Sequence, residues 1–180
     1  IAAPDHDGLC SRGTAVYRST SVGAPDESGL LSMDSGDQKQ IDLQDRSVYR
    51  AWTSHTIRYN DLDPVGHVNN AVYSTFVEAG RTALLQPLFK EHAHLNLDTV
   101  LVRTVLDFHK ELRYPGDVDI GTGVQRIGNT SVVFINGIFK KDSDVCHASG
   151  EAYLVFFDLI ERKSTRPPQV FRDVLEAIMV

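Results

Sequence analysis

The chain is short of the residues that build special-purpose scaffolds. Only two of its 180 residues are cysteine, Cys10 and Cys146, far apart and without metal-ligand spacing. A disulfide framework is not expected, and a reducing compartment is the default. Long apolar runs are missing as well: no stretch of eighteen exists, which excludes a membrane-spanning helix. Positive charge is scarce. Eighteen Lys and Arg against 24 Asp and Glu leave a formal charge of −6, and without a basic surplus a nucleic-acid partner is not expected. The visible start, at Ile1, has no basic region followed by an apolar one, and its acids argue against a mitochondrial presequence. A cytoplasmic setting is the expectation.

What is present suits one globular domain with a real core; two full domains would be a squeeze at this length. Composition divides the chain near residue 47. Residues 1–47 are rich in Gly, Ser, Asp and Pro, show no sustained period, and read as a largely irregular extension. Within it, only "TAVYRS" and "SGLLSM" are suited to local docking.

From Val48 the pattern sharpens. "VYRAWTSHTIRY" alternates and carries β-branched and aromatic residues, a strand. Residues 70–86 place Val72, Phe76, Ala79 and Ala83 at helical spacing, widened by Tyr73, Val77 and Leu84, with Glu78 and Arg81 the only charges. A helix apolar over most of its circumference is expected to be wrapped by other elements. "KEHAHLN" reads as a loop. Four strands follow: "TVLVRTVLDFHKEL", "DVDIGTGVQRIG", "TSVVFINGIFKK" and "VCHASGEAYLVFFDLI", joined by "RYPGD", "GN" and "KDSD", turn signals that link antiparallel neighbours. "PPQVFRDVLEAIMV" closes the chain as a short helix with Val170, Val174 and Ile178 on one face. The order predicts an α+β fold, one antiparallel sheet curled around one apolar helix. Two copies side by side are an economical way to cover the edges and outer face of such a sheet.

The chemistry concentrates in "YNDLDPVGHVNNAVYSTFVEAGR", residues 59–81. Pro64 and Gly66 shape a turn, Asn69 or Asn70 suits the helix N-cap, and the uncapped amides of the first helical turn carry partial positive charge. A carboxylate beside such donors is the minimum equipment for acyl transfer, although Asp61 and Asp63 serve equally well as plain turn formers. Other suggestive residues carry less. His92 and His94 lack a third ligand within reach, so no metal or other cofactor is expected; His55, His109 and His147 fall on strands; Cys146 has no activating base.

Residues 59–81 resemble the signature of hot-dog-fold thioesterases of the 4-hydroxybenzoyl-CoA thioesterase class. They are close to the D-x-D-x-x-G-H-V-N-N form of bacterial acyl-CoA and plant acyl-ACP enzymes. The element order agrees over roughly residues 48–175. The resemblance implies a hot-dog domain at 48–180 that hydrolyses an acyl-CoA or acyl carrier protein thioester. It implies Asp63 as nucleophile or general base, Asp61 as a turn residue, and His67 at a position implicated in catalysis in the plant enzymes. Their asparagine two residues after the aspartate is replaced here by Val65, which favours an Asp-centred mechanism. Loop and first-turn backbone from Gly66, Val68, Asn69 and Asn70, with the amides of His67 and Val68 foremost, would stabilise the oxyanion. Glu78 would orient the loop or contact a subunit partner in a homodimer or homotetramer. Of the late basic residues Arg126, Lys140, Lys141, Arg162, Lys163 and Arg166, the last three would meet the carrier. Tyr73, Val77 and Phe108 would line the acyl chain.

Two competing readings share the architecture. A hot-dog dehydratase uses D-x-N-P-x-H, with histidine five positions after aspartate. Here His67 follows Asp63 by four and the N-P pair is absent. A non-catalytic acyl-CoA-binding module has no need of the carboxylate.

Overall fold

The computed structural model describes residues 14–18, whose backbone alone is considered, and 41–180. A seven-stranded antiparallel sheet curls around one long helix. The strands are β1 (Thr14–Arg18), β2 (Ala51–Thr56), β3 (Leu97–Phe108), β4 (Asp117–Ile127), β5 (Ser131–Lys140), β6 (Cys146–Asp158) and β7 (Lys163–Ser164). The helices are α1 (Asn70–Glu91) and α2 (Gln169–Ala177). Spatial order along the sheet is β1-β3-β6-β5-β4-β2, with β7 paired to β6. No helix among the described residues is long and apolar enough to cross a membrane.

"GN" and "KDSD" do join neighbours, β4 to β5 and β5 to β6. "RYPGD" does not. It carries the chain across the sheet from β3, whose partners are β1 and β6, to β4, whose partners are β2 and β5. A Pro-Gly pair reports a bend and is silent on which strand is met after it. β5 lies in the middle and is buried on both faces, which explains its nearly unbroken apolar run.

Helix α1 runs past the predicted end at Gln86, through Pro87 to Glu91. Pro87 is exposed, so the carbonyl it leaves without an N–H partner faces water and the helix continues. The segment read as a loop is thus the last helical residues followed by a 3₁₀ turn, Ala93–Leu95. The buried stripe is Tyr73, Phe76, Val77, Gly80, Arg81 and Leu85, rotated from the predicted one: Ala83 is exposed. Nor is the helix enclosed. The sheet covers one side and leaves Ala71, Ser74, Thr75, Glu78, Thr82 and Gln86 open. Contact is closest at Gly80, where a Cβ would sit 2.6 Å from Thr122 Oγ1 and 2.9 Å from Ile120 Cγ2. Only glycine lets helix and sheet approach this far. In α2 the buried residues are Phe171 and Leu175, with Ile178 just beyond, while Val174 is half-buried. Phe171 packs on Phe89 of α1 and Phe156 of β6.

The outer, convex face has its own small core of Tyr49, Ile135, Phe139 and Cys146, joined by Ile41, Leu43 and Val48. Tyr49 lies over Gly121 and Gly137 and donates its hydroxyl to Leu43 O at 2.6 Å. Arg46 reaches Asp119 at 2.7 Å and stacks over Trp52. Packed structure therefore begins before residue 48. Of the two pieces read as able to dock, "TAVYRS" contributes β1, which pairs with β3 from Thr14↔Asp107 to Arg18↔Arg103; "SGLLSM" lies outside the described residues.

Candidate active site

Between β2 and α1 the chain makes one 3₁₀ turn, Tyr59–Asp61, then a tight loop. Asp61 is buried at 3% exposure, and its carboxylate is consumed locally: Oδ2 accepts from the Arg58 amide at 2.7 Å, Oδ1 from the Arg58 guanidinium at 3.1 Å. Leu62 and Val68 bridge across the loop, and Val68, 2% exposed, anchors it in the core. Gly66 takes φ +83°, a backbone state that side-chain-bearing residues rarely adopt.

These restraints hold half-buried Asp63 firmly. Its amide donates to His67 O at 2.8 Å, and its carbonyl accepts from Gly66 at 3.0 Å. Carboxylate oxygen Oδ1 accepts from two amides, Val65 at 2.9 Å and His67 at 3.0 Å. The other oxygen, Oδ2, has no hydrogen bond from the described residues. One oxygen thus fixes the group in place.

The oxyanion expectation needs correction. The His67 amide is spent on Asp63, and the Val68 amide donates to Leu112 O at 2.9 Å. Gly66 donates to Asp63 O, and Asn69 to Asp61 O at 2.8 Å. Asn69, not Asn70, is the N-cap, its Oδ1 accepting from Ala71 at 2.9 Å, while Val72 donates to Asn69 O. Loop closure uses every amide proposed from the sequence except one. The N–H of Asn70, the first helical residue, makes no hydrogen bond among the described residues and lies at the positive end of the helix dipole.

The His67 imidazole sits in a cluster with exposed Glu111 and Arg113. Its Nε2 is 2.9 Å from Arg113 NH2 and 3.1 Å from Glu111 Oε2, and Arg113 Nε donates to Glu111 Oε1 at 2.8 Å. The hydrogen bond from Arg113 holds the Glu111 carboxyl below its ordinary value, with the His67 and Arg113 charges adding to the effect. Glu111 and Arg113 were not anticipated. The available signal was a charged run, "KELR", directly after an apolar strand, but nothing in sequence says that this run returns to residue 67.

Tyr73 is 2% exposed, its ring edge-on to Phe108 at 5.2 Å, so it floors the loop as part of the core. Glu78 is exposed on α1. Arg162, Lys163 and Arg166 are exposed too, beyond the far end of β6. The loop meets residues 111–112, beside His147 at the start of β6, whereas these cations follow the end of β6 at Asp158. Eleven strand residues separate the two places, roughly 35 Å along the strand. Within one chain they do not share a site. Lys163 instead meets Glu161 at 3.4 Å, and Arg162 stacks over Phe157. No group of three or more His, Cys, Asp or Glu among the described residues is arranged to hold a metal ion.

Comparison with known proteins places this geometry. Over 74% of its length the chain is similar to 94% of the PA5185 protein from Pseudomonas aeruginosa strain PAO1, at 27% identity and a TM-score of 0.66. Over 72% it is similar to 96% of a protein described as a predicted thioesterase from Bacillus stearothermophilus, at 28% identity and TM-score 0.66. Over 71% it shares its fold with 87% of DHNA-CoA thioesterase from Staphylococcus aureus, at 21% identity and TM-score 0.61. No curated protein matches the chain. The family model of the thioesterase-like superfamily matches residues 57–175, from the end of β2 through most of α2. The chain belongs to the thioesterase-like superfamily and has the hot-dog fold.

Proposed function

We propose that the protein hydrolyses an acyl-CoA thioester, with Asp63 as the catalytic carboxylate and the Asn70 amide as oxyanion donor. The observation that carries this reading is the division of labour at Asp63: two amides fasten Oδ1 while Oδ2 stays without a partner among the described residues. A turn-forming aspartate needs nothing from its second oxygen; a nucleophile or general base needs it unoccupied. Oδ2 either attacks the acyl carbon or takes a proton from a water that attacks directly. In the first route, collapse of the tetrahedral intermediate breaks the C–S bond and expels the CoA thiolate to leave a mixed anhydride that water then cleaves. In the second, the tetrahedral intermediate again expels the thiolate, which is protonated by Asp63 or solvent. In both routes negative charge grows on the thioester oxygen, where a fixed N–H at a helix start stabilises it without reorganisation. CoA rather than carrier protein is favoured by the fold relative that acts on DHNA-CoA. His67 contributes its backbone amide to hold Asp63, and its side chain organises Glu111 and Arg113.

A panel of acyl-CoAs incubated with the protein, with free thiol followed by DTNB, tests the assignment. Wild type should release thiol catalytically from at least one member. Saturable binding without release across the panel would leave an acyl-CoA-binding module instead. Cys146 should contribute little background, because burial pushes its thiol up to about 11.

A further inference from the structure

The same dipeptide occurs twice beside the Asp63 loop. Arg58-Tyr59 follows β2 in "IRYND", and Arg113-Tyr114 lies between β3 and β4 in "LRYPG". The fold sets the two segments side by side: Ile57 donates its amide to Gly116 O at 2.9 Å, and Val68 to Leu112 O at 2.9 Å. The tyrosine rings meet edge to face with centroids 6.0 Å apart, yet Tyr59 is 74% exposed and Tyr114 48%. Single apolar side chains on a surface are ordinary; a paired aromatic surface left to water is less so. The arginines match as well. Arg58 turns NH2 and Nε toward the Asp61 carboxylate, at 3.1 and 3.5 Å. Arg113 donates Nε to Glu111 at 2.8 Å, and its NH2 lies 2.9 Å from His67 Nε2. Each guanidinium is thus oriented by a carboxylate while its side chain stays 66% and 63% exposed, respectively. NH1 of each makes no hydrogen bond among the described residues.

We propose that this rim holds the phosphorylated adenosine end of CoA, with the adenine packed on Tyr59 and Tyr114 and phosphate oxygens accepting from NH1 of Arg58 and Arg113. The proposal rests on the acyl-CoA reading of the Asp63 site and assigns the part of the substrate that does not react. Tyrosine faces stack on a purine, and the planar fork of a guanidinium suits phosphate oxygens. A ligand that is both aromatic and polyanionic satisfies all four side chains at once. A neutral pantetheine arm or an aliphatic tail would leave both arginines unused. Exposed Lys110, with no ion pair among the described residues, adds positive charge beside Glu111. The rim also borders the reaction. Tyr59 is four residues before Asp63, and His67, whose amide holds the Asp63 carboxylate, meets Arg113 through its ring. Binding energy gathered here, away from the bond that breaks, holds the thioester against Asp63.

Isothermal titration calorimetry of the full chain with CoA and with pantetheine tests this, with thermal unfolding to confirm that each variant is folded. Wild type should bind CoA more tightly than pantetheine by about tenfold or more. Tyr59→Ala and Tyr114→Ala should each weaken CoA by about tenfold, the size of one base–aromatic stack, and leave pantetheine unchanged. Arg113→Gln should weaken CoA and flatten the salt dependence of its binding. Should Tyr59→Ala fail to fold, Tyr59→Leu keeps apolar bulk without the ring and should show the same loss. Equal affinity of wild type for CoA and pantetheine overturns the proposal, as does a Tyr59→Ala, Tyr114→Ala double variant that binds CoA like wild type. Binding of a holo acyl carrier protein that this double variant loses, with CoA binding intact, overturns it too. None of these readouts involves turnover. A chain that binds CoA on the rim but releases no thiol keeps the nucleotide site and loses only the hydrolytic reading. Intact thiol release with unchanged CoA affinity in the variants does the reverse.

Discussion

Asp63 and His67 sit four positions apart in one short loop, and the loop gives them different work. Both the amide and the carbonyl of His67 are bonded to Asp63, while its ring is bonded elsewhere. Removing the imidazole leaves the backbone clamp intact, so His67→Ala should keep kcat within about tenfold of wild type in steady-state kinetics. A loss in the 100-fold range or beyond would put the ring in the proton-transfer step. His147 is a titratable group that couples mild acid to stability. It is 5% exposed, with Nδ1 2.8 Å from Glu111 O, and burial lowers its pKa below the ordinary 6.5, with the backbone hydrogen bonds opposing. Above pH 6.5 the ring is neutral in folded and unfolded chains alike and contributes no pH dependence. Below it the unfolded chain binds the proton first, so stability falls with acidification until the folded-state pKa is passed. Urea titrations at pH 7.5 and pH 5.5 should show this drop, and His147→Gln should reduce it. The string of residues 59–70 already marked the carboxylate, the turn and the cap in sequence. Which amides remain uncommitted was not legible, because that depends on loop closure onto residue 112, more than forty positions away.

Helix α1 sets the position of everything at its mouth, and its seat on the sheet depends on one missing side chain. Gly80→Val would drive two methyl groups into Thr122 and Ile120 and should destabilise the fold by about 2 kcal/mol in denaturant unfolding. Because the helix must lift, activity should fall along with stability. Existence and type of the elements from β2 onward could be read from periodicity, since each buries a face against a neighbour. Helix ends and strand partners could not. Pro87 looks like a stop until its exposure is known, and "RYPGD" looks like a hairpin until β3 is seen beside β6. The flank bearing Ala71, Ser74 and Glu78 was hidden for a related reason: helical spacing says which residues share a face, not how much of that face the sheet covers.

At the scale of the whole molecule, the sheet has two cores, one under α1 and one beneath residues 41–49. The second had no signature in composition, because a single tyrosine over two glycines does the packing that a helix does on the other face. The inner core positions α1, and the loop that leads into α1 fixes Asp63. That chain of dependence ends in one carboxylate oxygen, and Asp63→Asn tests it with almost no change of shape, since the amide oxygen can still accept from Val65 and His67. Steady-state thiol release alongside equilibrium binding of the same acyl-CoA separates the outcomes. The account predicts that kcat falls on the order of 100-fold or more, about 2.7 kcal/mol of transition-state stabilisation, while the dissociation constant stays within a few-fold. Turnover by Asp63→Asn at a rate close to wild type would contradict it.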